Sequence, residues 1–450
     1  MNFQCKLTSA SKKVYGAILA GLILCSTLHV NAQNPITINS DNSVTITYID
    51  PKAEKVEVQG TFFQKGNSLI PMAGMFSKDG KAEMTNTGNG VWSYTSQPLS
   101  SELYWYDFVV NEDSVRFDKR NRDTTRDIGT TYNYFIIKGG IGDNFTDAQT
   151  KKGTLKYNWY PSSLNGMSKR RMAVYLPHGY NSSSRRYPVL YLLHGSGGDE
   201  TAWDDCGRLS QIMDHLIANG TCEPMIVVMP NGNVELAAAP GEDPNNPNVQ
   251  PSGNNVSSMF GKFEKSFVPE IVNYVDKNYR TVADKQHRAI AGLSLGGLHT
   301  LYTSLNNPNE FDYIGLFSAQ TTNALGDKSV GGLKSIGEGW NQLKQALPFL
   351  GGGSVDRKIS SITGGESDEN LDIYDNFDWK LKNFFKKNPR FFYIAVGRDD
   401  FTKKLNDDLR KKLNKGGYTF LYNESDGGHT WSNWRKYLID YLPRLFKIDK

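Results

Sequence analysis

Ser294 sits at the centre of Gly292-Leu293-Ser294-Leu295-Gly296. A serine with glycine two residues away on either side is the pattern of a nucleophile on a sharp turn. The chemistry it offers is attack on an electrophilic carbon. The flanks fit such a turn. His287-Arg288-Ala289-Ile290-Ala291 reads as a short buried strand, and Leu298, Leu301, Tyr302 and Leu305 recur at helical spacing until Asn306-Asn307-Pro308. Strand, turn and helix together strain the serine backbone, while Gly292 and Gly296 let strand and helix approach without a side-chain clash. The first N–H groups of the helix, beginning at Leu295, then point at whatever the serine attacks.

A serine nucleophile needs a base and an orienting acid. The chain has seven histidines. His29 lies in a leader segment, His178 follows Pro177, His215 is in a helical stretch, His287 precedes the serine strand and His299 is on the helix after it. His194 belongs to the glycine-rich turn His194-Gly195-Ser196-Gly197-Gly198. His429 remains, in Asp426-Gly427-Gly428-His429-Thr430-Trp431, between the strand-like run Tyr418-Thr419-Phe420-Leu421-Tyr422 and the last helix. The acid is expected between serine and histidine, where the dense apolar strand 391–396 ends in Gly397-Arg398-Asp399-Asp400-Phe401. One aspartate would hold the histidine tautomer. The other would cap the helix that starts near Thr402 and runs through Leu405, Leu409 and Leu413. Residue types alone leave Asp399 and Asp400 both open.

Leu190-Tyr191-Leu192-Leu193-His194-Gly195-Ser196 and Pro224-Met225-Ile226-Val227-Val228-Met229-Pro230-Asn231 complete a set of motifs that runs in order with 287–297, 397–400 and 427–429. From about Gly153 to Lys450 the chain resembles the esterase-D-type α/β-hydrolases. Within them it resembles carbohydrate esterase family 1, which includes feruloyl and acetylxylan esterases. The resemblance implies a mostly parallel central sheet over residues 154–450. It also implies Asp400 as the triad acid, third after the glycine that ends its strand, beside Ser294 and His429. The backbone amides of Ser196 and Leu295 would form the oxyanion hole.

Residues 33–138 read differently. Short alternating runs at 43–48, 55–60, 90–94 and 103–110 are separated by turn residues, the pattern of an antiparallel sandwich. This part resembles the immunoglobulin-like early-set domains, including the family 48 carbohydrate-binding type. Alternation puts Tyr104 and Tyr106 on one face and Trp105 on the other, a candidate sugar-stacking platform. Residues 139–153 read as a linker.

Residues 1–32 read as a secretory signal peptide: Lys6, Lys12 and Lys13, an apolar segment from Val14 to Leu28, and Val30-Asn31-Ala32 with cleavage after Ala32. The expected destination is secreted or periplasmic. Cys25 invites lipid anchoring, but bulky Leu24 opposes it. The leader holds three lysines and no acid, so the formal charge falls from +4 to +1 and points to neither nucleic acid nor an anionic membrane surface. No later apolar run is long enough to span a bilayer. Cys206 and Cys222 flank the helical stretch 209–218, which holds them too far apart for a disulfide. No metal-ligand spacing or phosphate loop occurs, so no metal, nucleotide or other cofactor is expected.

Two long segments, 231–258 and 321–375, follow strands that end beside the candidate serine and are expected to shape the substrate site. Phe260 and Trp431 are candidates for packing an aromatic acyl group. The expectation is a secreted serine esterase of plant cell-wall polysaccharide. Its substrate would be feruloyl (hydroxycinnamoyl) esters on arabinoxylan, with acetylated xylan as the alternative. A siderophore esterase shares the architecture, but its usual cytoplasmic site conflicts with the leader. A silent glycan-binding protein is the reading from another class, and the intact Ser-Asp-His set argues against it.

Overall fold

The runs Ile226–Pro230, Val189–Leu193, Arg288–Leu293, Tyr313–Phe317 and Phe391–Gly397 are nearly continuous in apolar residues, as strands covered on both faces must be. A computed structural model of the chain describes residues 34–63, 80–112, 114–149, 151–245, 261–321 and 371–447. In it these five strands lie side by side in that order, with Leu421–Ser425 beyond the last, all in parallel register. Lys169–Leu176 and then Thr154–Pro161 extend the Ile226–Pro230 edge in antiparallel sense, making eight strands. Side chains alternate between two cores. Tyr191, Val228, Ile290 and Leu316 enter one, and Leu190, Val227, Ala289 and Phe317 enter the other. Helices cover both faces, among them Leu209–Ala218, Leu295–Asn306, Lys403–Lys415 and Trp431–Tyr441. This is an α/β-hydrolase sheet. Its parallel strands all end on the side that carries 194–198, Ser294, Ser318, Asp400 and His429.

The N-terminal region is all β, in antiparallel sheets. One sheet runs Ile36–Ile38, Val44–Ile49, Val91–Thr95, Thr85–Gly88. The other runs Lys81–Glu83, Val56–Gly60, Glu102–Val110, Thr130–Ile137, Thr124–Asp127, with Ser114–Arg116 also paired to Glu102–Val110. Val44, Ile46 and Trp92 from the first meet Val58, Tyr106, Phe108 and Phe135 from the second in one apolar core.

The strand Glu102–Val110 corrects the stacking-platform expectation. Tyr106 is fully buried in the sandwich core, against which Tyr104 packs. Trp105, on the opposite face, is 2% exposed, stacks on Tyr132 at 5.3 Å, and joins the hydrolase-side core with Leu103, Trp203 and Leu209. Trp105 and Tyr106 are thus covered on opposite faces and Tyr104 is half-buried, so the three rings form no common open platform. Residues 141–145 form a 3-10 turn whose Phe145 is buried in the same hydrolase-side core.

Two further expectations meet the structure here. The strand placed at 418–422 begins only at Leu421 and ends at Ser425. Tyr418 instead stacks on Phe385 at 4.3 Å, and pairing starts where Leu421 comes opposite Tyr393. Cys206 and Cys222 are free buried thiols on either side of the helix Leu209–Ala218. Residues 1–32, with Cys25 and the leader, lie outside the described residues. Among the described residues no helix is long and apolar enough to cross a membrane.

Polar contacts tie the two regions together. Arg435, 2% exposed, donates to Glu102 Oε1 at 3.0 Å, to the Leu103 carbonyl at 3.2 Å and to the Cys206 carbonyl at 2.9 Å. Ser432 donates to Glu102 Oε2 at 2.8 Å. Removing one partner of a buried ion pair strands the other charge, at a cost of about 3–5 kcal/mol, whereas replacing both by apolar groups costs much less. Arg435→Met should therefore lower stability by about that amount, and Glu102→Leu combined with Arg435→Met should recover most of it. Denaturant unfolding of the two variants checks this.

Candidate active site

Ser294 is the residue between strand Arg288–Leu293 and helix Leu295–Asn306, and its backbone sits at φ 52, ψ −117. A non-glycine residue holds this region only when its surroundings insist. Ser294 N–H donates to the Phe317 carbonyl at 3.0 Å, and the Ser294 carbonyl accepts from Gly297 and Gln320 N–H, each at 3.0 Å. The flanking glycines are sterically required. A Cβ on Gly292 would lie 2.3 Å from the Gly296 carbonyl oxygen, and one on Gly296 would lie 2.3 Å from that of His194.

His429 lies in the loop between strand Leu421–Ser425 and helix Trp431–Tyr441. Its Nδ1 is 3.0 and 3.1 Å from the two Asp400 carboxylate oxygens. His429 is 3% and Asp400 4% exposed. Asp399, by contrast, is exposed, and its N–H bonds the Gly427 carbonyl at 3.0 Å. Neither aspartate caps the helix Lys403–Lys415, whose N-cap is Thr402; Asp400 Oδ1 instead accepts from Thr402 N–H and Oγ1, both at 2.8 Å, just before it. Burial alone would raise the Asp400 carboxyl. The His429 ring, with hydrogen bonds from Ser318 and Thr402, holds it below its ordinary value instead.

Three supports were not read from the sequence. Ser318, at φ 48 after strand Tyr313–Phe317, bonds Asp400 and accepts from Trp434 Nε1 at 3.1 Å. Trp434 meets the His429 ring edge-on at 4.9 Å. Asn433 donates to the carbonyls of Asp426 at 3.0 Å and Gly428 at 2.8 Å, fixing the loop before His429. A strand end adjacent to the serine strand was the available signal for Ser318. For Asn433 and Trp434 there was none beyond nearness to His429.

Ser294, His429, Ser196 and Trp431 line one small cavity, and Asp127 and Ile128 from the N-terminal region line it too. Leu295 opens the helix directly behind Ser294. Trp431 is 6% exposed and packs edge-on between Trp203 and Trp434. Phe260 lies outside the described residues, as do residues 246–258 and 322–370 of the two long segments. Four of the other histidines have structural partners. His194 bonds Gly195 and Gly232, His215 the Thr146 carbonyl and His287 Asp284, while His299 Nδ1 lies 2.9 Å from Glu264 Oε1.

The eight-stranded sheet, with a strained serine between strand and helix and a buried Asp–His pair beside it, defines an α/β-hydrolase. The Esterase family model matches residues 163–445, more than half of the chain, and the chain belongs to that family. It is 41% identical over 279 residues to the endo-1,4-beta-xylanase/feruloyl esterase of Xylanibacter ruminicola, covering 56% of this chain and 34% of that protein. It is 28% identical over 191 residues to an acetyl esterase of Caldicellulosiruptor saccharolyticus, covering 42% of this chain and 65% of that protein. The chain thus spans less than two thirds of the length of either relative. Among solved structures, the enterobactin esterase from Shigella flexneri superposes with a TM-score of 0.56 at 15% identity, over 90% of this chain and 93% of that one. That likeness is one of fold.

His194 carries a pH consequence. Its Nε2 accepts from Gly232 N–H at 2.7 Å, so Nδ1 keeps the proton that bonds the Gly195 carbonyl at 2.8 Å. Burial pushes the ring down from 6.5 to about 4. A value depressed by folding means that the unfolded chain takes a proton the folded chain refuses. The contribution is full above about pH 6.5 and is lost as pH falls toward 4, amounting to at most about 3 kcal/mol. His194→Gln keeps an acceptor for Gly232 and removes the titration. Urea unfolding at about pH 7 and about pH 5 should show a smaller acid loss in the variant than in the parent.

Proposed function

We propose that this chain is a secreted serine esterase that removes ester decorations from plant cell-wall polysaccharide, with feruloyl esters on arabinoxylan as the substrate. One observation carries the reading: Ser294, held at positive φ, shares a small cavity with His429, and His429 is bonded from behind by buried Asp400. The relative named as a feruloyl esterase supports the acyl group.

In this mechanism Ser294 Oγ attacks the ester carbonyl while His429 accepts its proton. Asp400 keeps the imidazole proton on Nδ1 and stabilises the imidazolium. The amides of Leu295 and Ser196 hold the oxyanion, each contributing about 3–4 kcal/mol to barrier lowering. His429 then returns the proton to the departing sugar alkoxide. Water, activated by the same histidine, releases the acyl group from Ser294. No step calls for a metal or cofactor. The N-terminal region serves as an immunoglobulin-like early-set module, a proposal supported by its two antiparallel sheets around one core. Trp431, which lines the cavity with Ser294, packs against the acyl group.

The test is a side-by-side assay of the purified protein on methyl ferulate and acetylated xylan. Preference for methyl ferulate is expected, and cleavage of acetyl groups alone would move the assignment to an acetylxylan esterase. Ser294→Ala should remove activity by several orders of magnitude while leaving the fold intact. Asp400→Asn should cost about 10³–10⁴-fold in kcat by favouring the wrong tautomer, and exposed Asp399→Asn far less. The reverse order of the two aspartate variants would contradict the assignment.

A further inference from the structure

Asp127 ends the strand Thr124–Asp127 of the N-terminal region. Ile128 and Gly129, both at positive φ, turn the chain back into strand Thr130–Ile137. This hairpin tip docks on the hydrolase sheet edge. Arg126 Nη2 donates to Asp199 Oδ2 at 2.8 Å and to Thr201 Oγ1 at 2.9 Å. Ile128 lies so close to Gly197 that a Cβ there would come within 2.9 Å of Ile128 Cγ2. The tip is therefore fixed at the mouth of the cavity that holds Ser294 and His429.

Asp127 is 4% exposed. Its Oδ1 accepts a long hydrogen bond, 3.4 Å, from Trp431 Nε1, and its Oδ2 is buried with no hydrogen-bond partner. An unmade hydrogen bond on a buried carboxyl is costly and rarely kept without a use. Burial pushes this carboxyl up to about 7, with Trp431 and Arg126 opposing and Asp199 adding to the rise. Near neutrality such a group both donates and accepts.

We propose that Asp127 is a specificity-determining residue, its Oδ2 hydrogen-bonding a hydroxyl of the ester substrate held at Ser294. The proposal rests on the esterase reading above. The hydroxyl comes either from the phenol of the acyl group or from the sugar beside the ester oxygen. A site built around such a bond discriminates strongly against analogues that lack the hydroxyl, because the buried polar group is then left unpaired.

The experiment uses the whole protein with three esters. Methyl ferulate carries the phenol only. Methyl 3,4-dimethoxycinnamate carries no hydroxyl. A feruloyl arabinose ester carries phenol and sugar hydroxyls. Asp127→Leu keeps the branched side-chain skeleton and removes the polar group. It should lower kcat/KM by about 10–100-fold on the hydroxyl-bearing partner, chiefly through KM, and leave the dimethoxy ester nearly unchanged. Asp127→Asn, which retains a donor and an acceptor, should recover part of the loss. Loss on both feruloyl esters assigns the contact to the phenol, and loss on the arabinose ester alone assigns it to the sugar. Equal loss on all three esters, or no loss on any, overturns the proposal and leaves Asp127 a packing residue. If the parent protein cleaves none of the three, the feruloyl reading itself fails and takes this proposal with it.

Discussion

The active edge depends on one close approach: the helix Leu295–Asn306 begins against the end of strand Arg288–Leu293 with no room for a side chain between them. A Cβ on Gly292 would collide with the backbone of Gly296, and one on Gly296 with the backbone of Leu193 and His194. The crowding leaves Ser294 no ordinary conformation, and a residue at such φ and ψ costs about 1–3 kcal/mol. Its strain is held by backbone bonds to Phe317, Gln320 and Gly297, and so by the register of the neighbouring strand. The same contact sets the His194 loop, whose ring spans Gly195 and Gly232.

The acid–base pair is positioned by its neighbours more than by its own loops. Thr402 and Ser318 hold the Asp400 carboxylate, Trp434 braces both Ser318 and the His429 ring, and Asn433 fixes the turn that delivers His429. These groups come from beyond the ends of two strands and from the last helix. Being buried, they interact in a low-dielectric setting where a hydrogen-bonded carboxylate is worth more than in water.

The N-terminal sheets share an apolar core with the hydrolase through Leu103, Trp105, Tyr132 and Phe145, and they share the buried Glu102–Arg435 pair. With Trp105 and Tyr106 buried on opposite faces, the strand cannot present the three rings as one open platform. What this region contributes to the site is the hairpin tip at Asp127 and Ile128, which forms part of the cavity wall.

Sequence by itself determined the features that local pattern encodes. Glycines two residues either side of Ser294 reveal the turn. Continuous apolar runs reveal parallel strands, and alternating runs reveal the antiparallel sheets. His429 was singled out by elimination, and the structure gives His194, His215, His287 and His299 other partners. Tertiary structure decided what depends on groups distant in the chain. The choice between adjacent Asp399 and Asp400 turns on which of them the end of strand Phe391–Gly397 aims at His429. The start of strand Leu421–Ser425 is set by its pairing with Tyr393 rather than by its β-branched and aromatic content. Ser318, Asn433 and Asp127 carry no motif, since a serine, an asparagine or an aspartate becomes part of a site only when folding buries it beside a group far away in sequence. Burial and hydrogen-bond pairing are properties of three-dimensional neighbours, and residue order constrains them only where those neighbours are also close along the chain.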